Sequence, residues 1–151
     1  MNLQEELKAL KERIAELEEQ AKEEQEFPQD GDTYSYINTY GGVESDIWEG
    51  HFAERSMVKI GNFFKTEEEA EFEVEKLKVE AELRKFSRPF KVDKDNTGLY
   101  YGHESGEIMF TEVKTCQMQG AIYFESRDKA QQAIKSVGEE RIKKYIFGVE
   151  D

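Results

Sequence analysis

Leu3, Leu7, Leu10, Ile14 and Leu17 are separated by four, three, four and three residues, and this alternation constrains the chain more than any other feature. Apolar residues at that spacing line one stripe of a helix and form the seam of a coiled coil. In this register Leu7, Ile14 and Ala21 take a positions, while Leu3, Leu10 and Leu17 take d. Isoleucine at a central a with leucine at d favours a parallel two-stranded coil. Glu6 at g then faces Lys11 at e of the partner, and Arg13 faces Glu18. Exposed pairs of this kind each contribute only a few tenths of a kcal/mol, but they select orientation. The seam spans about three heptads, and helices so short are marginal alone. Either the rest of the chain contributes to assembly, or the stripe docks along its own domain. Complementary e and g charges favour self-association, as a parallel homodimer or a higher oligomer. The coil is expected over residues 1–26, with a linker over 27–32 where Pro28 and Asp30-Gly31 stop the helix.

Residues 33–151 are expected to form one α+β domain. It is read as a small antiparallel-sheet domain with two hairpin–strand–helix units and a C-terminal helix. In the first unit, about 33–88, Tyr34–Thr39 alternate and Gly41-Gly42 offers a turn into Val43–Trp48. A polar loop around Glu49–Arg55 is expected to lead to a strand from Met57 to Phe64. Thr66 with Glu69 three residues on is a capping box for a helix ending near Phe86. In the second unit, about 89–151, Leu99–His103 turns at Ser105-Gly106 into Glu107–Val113. A strand over Ala121–Phe124 and a helix capped by Ser126 follow. Gly138 ends that helix, and Glu139–Phe147 reads as the last one. Aligning Phe63-Phe64-Lys65-Thr66 on Tyr123-Phe124-Glu125-Ser126 also places Ala70 on Ala130, Val74 on Ile134 and Leu77 on Val137. Duplication and two unrelated junctions obeying the same physics both explain this.

The long helix has two apolar stripes. Ala70, Val74, Leu77 and Ala81 share one face; Phe72, Val79, Leu83 and Phe86 lie nearly opposite, at about 100° per residue. A helix covering a sheet needs one apolar face, so the second stripe is expected to be covered by the same domain or dimer, by the N-terminal helix or by an external target. Phe72, Val79, Leu83 and Phe86 are therefore interface candidates, as are Trp48 and Phe52 in the polar stretch, because interface hot spots favour aromatics.

The net charge of −13 is uneven: ten acids to four bases over residues 1–30, thirteen to seven over 31–87, and eleven to ten over 88–151. Such a surface repels phosphate backbones, so direct nucleic-acid binding is not expected. Cys116 is the only cysteine, which suits a reducing compartment. Met1 leads into Asn2–Glu6 without a basic or apolar run, so no secretion signal, membrane span or membrane partner is expected. His51 and His103, the only histidines, match no metal-ligand spacing, and no phosphate loop is present. The expectation is of no catalytic, metal or cofactor-binding residue, and of a chain that is not an enzyme.

Tyr36-Ile37-Asn38-Thr39-Tyr40-Gly41-Gly42-Val43, then Trp48, then Ile60-Gly61-Asn62-Phe63-Phe64-Lys65-Thr66-Glu67-Glu68-Glu69-Ala70-Glu71, resembles a group of small proteins of phages and prophages of Gram-positive bacteria. The ending Glu139–Val149 resembles the same group. The resemblance covers most of residues 32–151 and carries over no catalytic residue. It implies a phage or prophage source rather than an activity. Small size, absent chemistry, a dimerising helix and an acidic surface make the leading expectation an accessory protein that binds a host protein in the cytoplasm of the infected bacterium. Counter-defence is the concrete version, an acidic dimer blocking a host nuclease or immune effector. The alternatives are an assembly or virion-associated structural protein, and a protein that sequesters a small molecule or nucleotide.

Overall fold

A helix needs its first amides satisfied, and the chain solves this with side chains three residues apart. Asn2 Oδ1 accepts from the Glu5 amide at 2.9 Å, while the Glu5 carboxylate accepts from the Asn2 amide at 3.0 Å. This reciprocal box starts α1 (Leu3–Glu23). Thr66 Oγ1 accepts from the Glu69 amide at 3.2 Å, and Ser126 Oγ from the Lys129 amide at 3.2 Å. They start α3 (Glu67–Arg84) and α4 (Arg127–Val137).

The structure is a computed structural model that describes residues 2–23 and 26–150; residues 1, 24, 25 and 151, at the ends of the expected coil and domain, lie outside the described residues. Besides these helices, the chain forms β1 (Thr33–Ile37), β2 (Val43–Ile47), α2 (Phe52–Lys59), β3 (Asn96–Gly102), β4 (Glu107–Val113) and α5 (Glu139–Tyr145). The fold is mixed α+β. β1 and β2 form one antiparallel hairpin with Ser35 opposite Ser45, and β3 and β4 form another with Leu99 opposite Phe110. The Asn38 side chain accepts from the Tyr40 and Gly42 amides, shaping the first turn around Gly41 at φ 82°. No described helix is long and apolar enough to cross a membrane.

The third strand expected in each unit is a correction. Met57–Phe64 is not a strand: α2 takes Met57–Lys59, and only Phe64 bridges β1, exchanging two hydrogen bonds with Ser35 at 2.9 Å. Nor is Glu49–Arg55 all loop, because Glu54 accepts from the His51 amide at 3.0 Å and caps α2. Ala121–Phe124 likewise contributes a single bridge, between Phe124 and Thr97. Tyr123, one residue before, turns its carbonyl to the Arg88 amide at 3.0 Å.

The two units nevertheless repeat. Ser35 and Thr97 bridge Phe64 and Phe124, Thr66 and Ser126 cap the next helix, and Ala70 and Ala130 on its first turn are fully buried. The repeat diverges at Leu77, 46% exposed, against Val137, 3% exposed.

α3 explains that divergence, because it serves both units. It packs on β1 and β2, and also on α4 and α5. Near its start Ala70 and Val74 are buried toward the first hairpin. Further along, Val79 and Leu83 are buried from the opposite face, in a core with Phe124, Ala133 and Ile142. The second apolar stripe is thus covered largely within the chain, whereas Leu77 and Ala81 on the first stripe are exposed. Arg141 of α5 donates to Glu82 of α3 at 2.7 Å and fixes the junction. That hydrogen bond, outweighing partial burial, holds the Glu82 carboxyl below its ordinary range.

Leu83→Ala should therefore lower unfolding stability by about 2–5 kcal/mol, while Leu77→Ala should change it by about 0.5 kcal/mol. Urea denaturation of both variants checks this, and equal losses would contradict the switch of buried face along α3.

Candidate functional site

The first surface that stands out is α1. Every residue from Asn2 to Lys22 is exposed, including the whole apolar stripe: Leu3 84%, Leu7 54%, Leu10 61%, Ile14 54% and Leu17 48%. The stripe does not lie along its own domain. Arg13 makes an exposed ion pair with Glu16 at 3.1 Å, a contact of the size that a partner helix can replace.

The first hairpin carries an aromatic cluster on the face opposite α3. Tyr34, 2% exposed, stacks on Phe63 at 4.7 Å between centroids, and Trp48 meets both rings edge-on. Phe27, from the linker, closes on Phe63 at 5.2 Å. Of the two aromatics expected to form a contact loop, Trp48 is thus half-buried packing, while Phe52 is 78% exposed on the first turn of α2. The structure does not bring them together as one patch.

Glu54 ties α2 to this cluster, and it was absent from the sequence-derived candidates although the His51-to-Glu54 spacing carries the capping signal. It is 6% exposed and accepts from the Glu49 and His51 amides at 3.1 and 3.0 Å. Burial alone raises its pKa. Hydrogen bonds from the His51 and Glu49 amides, with the nearby Tyr34 hydroxyl, reverse that and hold the carboxyl below its ordinary range. Tyr34 is pushed up in return, by burial first and then by Glu54.

Of the four stripe candidates on α3, Val79 and Leu83 are core and Phe86 packs against that core. Phe72 is different. It is 39% exposed and meets the ring of Tyr145 from α5 at 5.0 Å. The two rings line an open groove of about 540 Å³ between the first hairpin, α3 and α5.

The remaining chemistry-bearing residues are apart. His51 pairs with Glu49, His103 packs on Tyr101 at 4.9 Å, and Cys116 is exposed. Among the described residues no three His, Cys, Asp or Glu side chains converge on a metal position. Buried Asn96 is structural: it donates to the carbonyls of Lys91, Lys94 and Val113 and accepts from Arg88 at 2.8 Å, anchoring the loop before β3. Comparison with protein-family models, curated proteins and solved structures finds no match to the chain.

The lowered Glu54 carboxyl has a pH signature. Its stabilising contribution is present above the ordinary carboxylate value of about 4.3 and is lost as pH falls through its lower folded value. Glu54→Gln should be less stable than the parent at pH 7, with the gap closing as pH falls below about 4.3. Urea midpoints across that range test this; a constant gap contradicts it.

Proposed function

We propose that the chain is a phage or prophage accessory protein that acts by binding another protein in the host cytoplasm, as a dimer joined through α1. One observation carries the reading: five apolar side chains at coiled-coil spacing stand 48–84% exposed on a helix that leaves its own domain uncovered by it. A second copy is the natural cover, because the Glu6–Lys11 and Arg13–Glu18 pairings are attractive in a parallel in-register dimer. The phage origin rests on the resemblance of residues 36–71 and 139–149.

The acidic charge directs the choice of target. A dimer of chains each carrying −13 is drawn to basic surfaces, such as the nucleic-acid groove of a host nuclease or immune effector. Steering of that kind gives fast association that weakens with salt.

Light scattering should give twice the 17.6 kDa chain mass at micromolar concentration, falling to one chain mass in the Leu10→Asp, Ile14→Asp variant. A host protein retained by the parent should be released by about 0.5 M salt. A monomeric parent, or parent and variant of equal mass, overturns the dimer.

A further inference from the structure

The repeat builds the same kind of groove twice, between the first hairpin and α3 and between the second hairpin and α4. In the first unit Glu71, Val74 and Glu75 line the groove of about 540 Å³. In the second, the equivalent Gln131, Ile134 and Lys135 line one of about 410 Å³. The fold therefore supplies the groove, and the side chains set its chemistry. Where the second has Gln131 and Lys135, the first has two carboxylates, and Phe72 stands at the position of Gln132.

The first groove pairs aromatic surface with negative charge. Glu68, Glu71, Phe72 and Glu75 fall within an arc of about 100° on α3. Among the described residues Glu68 and Glu71 form no ion pair, and Glu75 is held by Lys78 at 3.1 Å. Lys144, on the far rim, has its ammonium 5.3 Å from the centre of the Tyr145 ring. Val43 and Val74 provide the apolar wall beneath.

We propose that this groove is the docking site for a basic segment of a partner protein, one that presents Arg or Lys beside an apolar anchor. A long cationic side chain lays its methylene stem on Phe72 and Tyr145 and brings its charge to Glu68 and Glu71. An Arg there has the additional fit of its planar fork to a carboxylate. The inference rests on reading the chain as a protein binder, and it names the face and the chemistry by which it binds.

The test uses the full chain and a display library of random dodecapeptides as the probe. Selected peptides should be rich in Arg or Lys with an aliphatic or aromatic neighbour. Their affinity should fall about tenfold in Glu71→Lys, Glu75→Lys and weaken with salt. Lys135→Glu, in the equivalent groove of the second unit, should leave it within about twofold, and circular dichroism shows that both variants are folded. Recovery of no peptide, of acidic peptides, or of peptides indifferent to Glu71→Lys, Glu75→Lys overturns the proposal. So does a change in the mass of the protein itself in that variant, which would make a second copy the occupant. Light scattering of the same samples reads the dimer separately, so a monomer that binds basic peptides through the groove defeats only the dimer.

Discussion

One helix with two unlike faces holds this structure together. Neither hairpin has more than two strands, and an isolated two-stranded hairpin is at best marginal in water. α3, 18 residues or about 27 Å long, gives each hairpin-based unit the cover it lacks. It buries Ala70 and Val74 toward the first and Val79 and Leu83 in the core of the second. The units share a buried element, so the loss of one exposes apolar surface of the other. The exposed Leu77 and the half-covered Phe72 are what the switch of faces leaves over.

Much of this was legible in residue spacing. The leucine stripe, both hairpins, the Thr66 and Ser126 caps and Gly138 at φ 106° after α4 are local signals, and local physics decides them. The third strands were misread because apolar runs such as Met57–Phe64 satisfy strand and helix patterns alike. A carboxylate three residues beyond His51 tipped the balance to α2, and the Asn62 side chain took over the pairing with Ile37. The two stripes of α3 were visible, but not that each would be buried over only half its length. That depends on where the second unit docks, which is a long-range matter. Trp48 shows the same limit: an aromatic in a polar stretch reads as a contact residue until Tyr34 and Phe63 are seen around it.

The functional reading separates assembly from recognition. α1 carries apolar surface that its own domain leaves exposed, whereas the α3/α5 groove sets the Phe72 and Tyr145 rings beside the carboxylates of Glu68, Glu71 and Glu75. Two copies on one coil would present two such grooves, and linking two weak sites on one scaffold raises avidity without any new contact. On the proposed reading, the acidic charge concentrated in residues 1–87 would draw such a dimer toward basic partners.

Orientation of the coil is the claim on which this arrangement rests, and a cysteine cross-link reads it directly. In a Cys116→Ser background, Leu17→Cys places one thiol at a d position near the end of the stripe. Two such positions meet across a parallel in-register coil but lie far apart in an antiparallel one. Mild oxidation should convert the protein to a disulfide-linked dimer at micromolar concentration. Chains that remain single after oxidation would contradict the account.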